Sequence, residues 1–362
     1  MNELQAAGEY EQTLVGAYRP CVTDLVPWKD KLGMQQESVY FYGGFRDEDG
    51  KSYAVERKFI GPMTGGLWLM APNGEEMGLD TGAFNSTRGE IKREFFDDRN
   101  RWHGQLMSVT SNEGEVIPDA GLDISITNDR VSWREGDLVD VTGTLVGPGA
   151  QLNLPSTDEP MLYLSHMYEV TGTTRGKQVE GFVWNDYCYW PHGYDWKEYR
   201  FFRQLQHGWL VFVNRYDDGT VEWGHLCHGR QGMRFGMVHD ADGIVTSSSD
   251  PIFHATMDDD QYVSRATFEL GDGDIWEWTG PTETQLTAFS NARPGGYRAQ
   301  LGRVQRKGDT RTIVNEFSWL ECFAERLVDD KIPPVVEQTA EAGPRRSVEQ
   351  TAQAGPRRSI ED

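Results

Sequence analysis

Residues Trp209–Gly229 read WLVFVNRYDDGTVEWGHLCHG, two alternating runs of β-branched and aromatic residues joined across an Asp-Gly pair. Asp218-Gly219 tolerates positive φ, so this stretch predicts an antiparallel hairpin. With a two-residue turn, Tyr216 pairs with Val221, Arg215 with Glu222, Asn214 with Trp223, Phe212 with His225 and Leu210 with Cys227. One face then carries Leu210, Phe212, Asn214, Tyr216, Val221, Trp223, His225 and Cys227, and the other carries the Arg215 and Glu222 pair. The first face has the composition of a barrel lumen, apolar with isolated polar points at Asn214, Tyr216 and His225. A three-residue turn would shift the register by one and send His225 outward.

The same signature recurs on both sides. Short alternating or β-branched runs predict strands at Ser38–Arg46, Ser52–Ile60, Leu67–Ala71, Gly104–Thr110, Leu122–Thr127, Leu138–Val146, Leu162–Thr173 and Gln178–Val183. They continue at Arg234–His239, Gln261–Leu270, Asp274–Thr279 and Thr312–Cys322. Asp49-Gly50, Asn73-Gly74, Asp242-Gly243 and Asp272-Gly273 punctuate them as further tight turns. Only Gly89–Asp97 and Asp195–Arg203 read as helix-capable. The expectation is an all-β, up-and-down antiparallel fold.

At 362 residues the chain exceeds what one core usually serves, so two β units are expected. The turn-rich stretch GPGAQLNLPSTDEP marks a linker at 148–160, between units at 1–147 and 161–330. Residues 331–362 form a tail in which EQTAEAGPRRSV is followed by EQTAQAGPRRSI. Without large hydrophobes the repeat cannot bury enough surface to order itself.

The formal net charge is -22, from 57 acidic and 35 basic residues, and it would repel nucleic acid and anionic membrane surfaces. Cys21, Cys188, Cys227 and Cys322 form no CxxC pair, and MNELQAAGEYEQTLVG has no basic region followed by an apolar run. A cytoplasmic protein with free thiols is expected. No stretch approaches a membrane span, and the mean hydropathy is −0.61. There is no GxSxG, Walker loop or strand-following GxGxxG, and nothing calls for a cofactor.

Val179–Arg200, VEGFVWNDYCYWPHGYDWKEYR, holds three Trp, four Tyr, His192, Asp186 and Asp195. Aromatic rings with a few polar points suit an apolar ligand, with Trp184, Tyr189, Trp190 and His192 as binding residues beside Phe212, Asn214, Tyr216 and Trp223. A packed core strand followed by a turn is the competing reading. Asp186, flanked by Trp184 and Tyr187, would have its charged form disfavoured by burial and could donate a proton near neutrality; alternatively it caps backbone amides in a turn. His225 is a candidate acid or base, or a hydrogen-bonded structural histidine. His225 and His228 fall on opposite faces of a strand, so HLCH does not indicate a metal site. Asp258-Asp259-Asp260 lacks the ligand spacing of a calcium loop.

In order, YEVTGTTRGKQVEGFVWNDYCYW, WLVFVNRYDDGTVEWGHLCHG and NEFSWLECFAE resemble the AttH-like lipocalin-type superfamily, which includes the carotenoid hydratases (hydroxyneurosporene synthases) and is related to tocopherol cyclases. YFYGGFRDEDGKSYAVERKFI resembles that family's opening strand pair, so the likeness spans Ser38–Glu325. It implies two tandem lipocalin-like β-barrel domains, a hydrophobic pocket, and acid-initiated hydration or cyclisation of isoprenoid double bonds. The family's strand reads tryptophan, any residue, aspartate, histidine, acid, tryptophan. Trp184 and Asp186 match it; Tyr187 stands in the histidine's place, Cys188 in the acid's and Tyr189 in the second tryptophan's. The resemblance carries Asp186 over as proton donor, with Tyr187 beside it; His225 is the independent candidate for the missing imidazole.

Three functions fit the sequence. One is a cofactor-independent hydratase, dehydratase, isomerase or cyclase acting on an isoprenoid, terpenoid or steroid-like molecule. The second is a lipophilic-ligand carrier without chemistry. The third is a carbohydrate-active protein, which would need Asp186 to share a cleft with Glu222 or Glu277.

Overall fold

The computed structural model describes residues 14–19, 29–60, 63–73, 76–79, 85–86, 91–96, 101–106, 108–110, 116–118, 121–136, 138–154, 159–193, 199–271, 273–291 and 295–336. Cys21, Asp195 and the tandem repeat of the tail lie outside them.

Alternation and β-branching deliver what they predict: the described residues form an almost wholly antiparallel β structure whose α-helices among them are the short Thr287–Asn291 and Ala324–Asp329. A fourteen-stranded sheet curls into a half-barrel. Its central order is Ser52–Ile60, Gln35–Asp47, Lys177–Trp190, Met161–Thr174, Val139–Leu145 and Arg130–Glu135. Gly149–Leu154 also pairs with Met161–Thr174 and carries Leu14–Tyr18 on its far edge. A six-stranded sheet runs Ile244–Ser248, Phe235–His239, Val221–Gly229, Gln206–Tyr216, Ile313–Phe323, Tyr297–Leu301. Four strands, Ile252–Met257, Val263–Glu269, Ile275–Thr279 and Arg303–Arg306, complete the second half.

Three cores result. The concave side of the large sheet buries Phe41, Val55, Trp133, Val141 and Tyr187. The six- and four-stranded sheets enclose Phe212, Leu226, Phe268, Trp276 and Trp278. Between the large and six-stranded sheets lies the third core, with Trp184, Trp190, Trp209, Trp223, Phe317 and Trp319. The strands of the large sheet at its centre are therefore covered on both faces, and their near-continuous apolar runs follow from that. Close approach of the sheets depends on Gly44, where a Cβ would lie 2.0 Å from Cδ2 of Phe317.

Several sequence expectations need correction. The stretch 148–160 is not strand-free, since Gly149–Leu154 is a paired strand. Sheet membership also does not change there: Met161–Thr174 and Lys177–Trp190, placed by sequence in the second unit, are central strands of the large sheet. The change of sheet falls between Trp190 and Gln206. Within Gly89–Asp97, Ile91–Phe96 is a strand paired with Arg101–Leu106. The described part of Asp195–Arg203 enters a π-helical turn at Phe201–Leu205.

The decisive hairpin forms, but with a three-residue turn. Tyr216 N donates to Thr220 O at 2.9 Å, Gly219 N donates to Tyr216 O at 3.0 Å, and Gly219 has φ 85. This is a turn closed by a left-handed glycine bulge, and it moves the register by one. Val211 now pairs with His225, Val213 with Trp223 and Asn214 with Glu222. The face expected to be continuous is split. Trp223, His225 and Cys227 join Trp209, Val211 and Val213 toward the large sheet, and Leu210, Phe212, Asn214 and Tyr216 turn toward the four-stranded sheet.

Candidate active site

Strand alternation fixes which side chains meet Asp186. Ser165 lies opposite it in the register, with Tyr163 opposite Cys188 and Met167 opposite Trp184, so these groups share the face toward the six-stranded sheet. On the other side of Asp186's strand, Trp184 pairs with Tyr42, whose ring stacks on it at 5.6 Å with planes 8° apart. The facing hairpin contributes Trp209, Trp223 and His225.

Asp186 is completely buried. The Tyr163 hydroxyl donates to its Oδ2, while Oδ1 has no partner among the described residues. Burial raises the carboxyl from 3.8 to about 7, against the opposing pull of the Ser165, Tyr163 and Tyr42 hydroxyls. Near neutral pH the site therefore holds a proton that it can give up. Burial also pushes the Tyr163 phenol well above its ordinary range, with the Asp186 charge acting in the same direction.

Tyr163 is the link to the histidine. Its ring centre lies 5.1 Å from Trp209 and 5.8 Å from His225, and His225 lies 5.9 Å from Trp209 and 6.1 Å from Trp223. His225 is fully buried, and neither ring nitrogen has a partner among the described residues. Burial holds it down to about 3, with His239 adding to the effect, so the imidazole is neutral. His239 is likewise buried, stacked on Trp223 at 4.7 Å, with no partner at either nitrogen among the described residues. Buried polar atoms without partners are uncommon in folded proteins and mark a place for a hydrogen-bonding ligand or water.

The sequence-derived residues thus divide. Asp186, His225, Trp184 and Trp223 come together. Trp190 shares their core but is taken up by Tyr199, stacked at 4.7 Å. Tyr187 and Tyr189 point the other way, into the concave core of the large sheet; Tyr187 packs on His166 at 5.7 Å and the Tyr189 hydroxyl accepts from Gln36 at 3.0 Å. Tyr187 therefore does not stand beside Asp186, because adjacent residues of a strand face opposite ways. His192 is exposed and pairs with Asp30 at 2.8 Å.

Phe212, Asn214 and Tyr216 lie on the far side of the hairpin. Phe212 packs on Trp276 at 5.0 Å, Asn214 donates to Val304 O at 2.9 Å, and Tyr216 donates to Glu222 at 3.0 Å. Glu222 is in turn held by Arg311 at 2.8 Å, so the carboxylate pairing of Asp186 with Glu222 that a sugar hydrolase would need is not formed. Sequence reading missed Tyr163, Ser165, Tyr42, Trp209 and His239. The first two sit two residues apart in LYLSHMY, a spacing that signals a shared face once the pairing with Asp186 is known.

No protein-family model matches the chain, and no curated protein matches it. Among solved structures, it is similar to a putative AttH from Nitrosomonas europaea, at 14% identity and TM-score 0.38, over 79% of this chain and 92% of that one. It is also similar to kievitone hydratase from Nectria haematococca, at 10% identity and TM-score 0.38, over 85% of this chain and 97% of that one.

Proposed function

We propose that the protein is an enzyme that protonates an apolar substrate, in the manner of a hydratase, dehydratase or isomerase, with Asp186 as the acid. The observation that carries this reading is the Asp186 carboxyl, sealed among aromatic rings and bonded to Tyr163 within ring contact of His225. A carboxylic acid kept near pH 7 is matched to proton transfer at neutral pH.

In the proposed step the Asp186 proton forms a C–H bond with an alkene carbon as the π pair moves to it. The cation left on the neighbouring carbon lies among the faces of Tyr163, Trp209 and Trp223, which stabilise positive charge. Water adds to that carbon in a hydration, or the cation loses a proton elsewhere in an isomerisation; in either case the released proton returns through Tyr163 to Asp186. Neutral His225 is placed to accept a hydrogen bond from the water or from a substrate hydroxyl. Tyr42 is the least covered ring of the group, followed by Tyr163 and Trp209 at 8% each, and entry past these rings is the route that this reading implies.

The test is native mass spectrometry of wild type and Asp186→Asn after incubation with an isoprenoid-rich lipid extract. The expected result is a bound molecule that changes by the mass of one water, or rearranges at constant mass, only with the wild type. A ligand held unaltered by both proteins would replace this reading with a carrier.

A further inference from the structure

The opposite face of Met161–Thr174 builds a different site. Because Ser165 and Asp186 face the six-stranded sheet, Leu162, Leu164 and His166 face the other way. There, flanked by Gly149–Leu154 and Leu14–Tyr18, a cavity of about 360 Å³ opens, walled by Val15, Leu162, Leu164, Tyr18 and the Lys31-Leu32 turn. Gln151 and Asn153 add uncharged amides, which leaves Lys31 as the one charged side chain among the described lining.

The polar end is organised. The Tyr18 hydroxyl meets Nε2 of His166, which is fully buried and has no partner at Nδ1 among the described residues. Gly149 makes that contact possible, since a Cβ there would lie 2.7 Å from Cδ2 of His166 and 2.8 Å from Cε1 of Tyr18. Lys31 stands close enough for its charge to act on His166. The lip is a tight turn closed by two backbone bonds, Lys31 N to Met34 O at 3.0 Å and Met34 N to Lys31 O at 2.8 Å. It holds Leu32 at φ 50, a left-handed conformation that costs a non-glycine residue roughly 1–2 kcal/mol, and displays its side chain 77% exposed. A leucine presented to water at the mouth of an apolar cavity gains burial once the cavity is occupied.

We propose that this cavity binds a medium-chain carboxylic acid, its tail against Leu162, Leu164 and Leu32 and its carboxylate between the Lys31 ammonium and the Tyr18 hydroxyl. The cavity lies at the lower end of the roughly 300–1,000 Å³ typical of small-molecule sites, which favours a medium over a long chain. A chain of net charge -22 repels anions in general, so an acid held here is held by the local arrangement. The site is separate from Asp186 and does not depend on the activity proposed for it.

Isothermal titration of the full-length protein with decanoate and with decanol tests this. Wild type is expected to bind decanoate about tenfold more tightly than decanol, one hydrogen-bonded ion pair's worth of discrimination. Lys31→Met should bring the two ligands level. Leu164→Trp, which overfills a buried position and should lower the melting temperature, should abolish binding of both ligands in the folded protein, and Asp186→Asn should leave decanoate binding unchanged. Equal affinity for both ligands in the wild type, decanoate binding indifferent to Lys31→Met, or loss of decanoate binding in Asp186→Asn would each overturn the proposal. Lys31 lies at the surface turn, so its variant keeps the test informative even if Leu164→Trp fails to fold.

Discussion

Replacing Asp186 by Asn should make the protein more stable, and more so as the pH rises. The folded carboxyl titrates at about 7 against 3.8 for the free group. With the folded pKa raised, the unfolded chain releases its proton first; stability is lost as pH climbs from the unfolded value and levels off above the folded one. At 1.36 kcal/mol per pH unit, holding Asp186 buried costs about 2 kcal/mol near pH 5 and about 4 kcal/mol near pH 8. Asparagine has the same shape, no charge, and an oxygen that still accepts from Tyr163, so the variant should escape this cost. The gap between variant and wild type should therefore widen by about 2–3 kcal/mol between about pH 5 and pH 8. Urea unfolding at a series of pH values, with m-values compared to confirm that the same transition is followed, measures that gap. A gap that stays flat across the range would refute the reasoning, for it would mean that the buried carboxyl titrates normally. A widening gap joined to lost turnover would identify a group kept at the expense of stability, as acids at active sites are.

His225→Phe should flatten the acid limb of the stability curve. Here the folded pKa is depressed, so the unfolded state takes up the proton first as pH falls below 6.5, and wild type should lose about 2–3 kcal/mol by about pH 4.5 that the phenylalanine variant keeps; identical acid limbs would show that His225 is reached by water. Gly44→Ala should cost about 1–3 kcal/mol by driving a methyl group into Phe317, and Phe317→Leu in the same chain should recover part of that cost. Strictly additive losses in denaturant titrations would mean that the two residues do not meet.

The fold class was legible because its signals are local: alternating strands and Asp-Gly turns such as Asp49-Gly50 and Asp218-Gly219 need only short-range chemistry. Gly149–Leu154 was not legible, since its Gly and Pro neighbours read as a linker while its partners, Leu14–Tyr18 and Met161–Thr174, lie on both sides of it in the sequence. The division between sheets was misplaced for a related reason. Met161–Thr174 and Lys177–Trp190 are apolar on both faces, and such strands do not announce which sheet they belong to. Of the candidate site, Asp186 could be found from its aromatic flanks. Tyr163, Ser165 and Tyr42 could not, because only long-range register brings them to it.

The hairpin shows how much of the site depends on a single residue of loop length. With a two-residue turn, His225 would have shared a face with Phe212 and entered the core that contains Trp276 and Phe268, on the far side of the six-stranded sheet from Asp186. The three-residue turn at Asp217, Asp218 and Gly219 moves the register by one and turns the imidazole toward Tyr163 instead. The expected lumen face does not exist as one surface, yet the two groups singled out for acid–base work, Asp186 and His225, are joined through Tyr163. Their meeting in the core between the two sheets, and not inside either half, follows from the even positions of Lys177–Trp190 and the odd positions of Val221–Gly229 both turning toward that core. Under the proposed reaction a substrate of Asp186 would have to enter between the sheets, past the partly buried Tyr42 or past Tyr163 and Trp209.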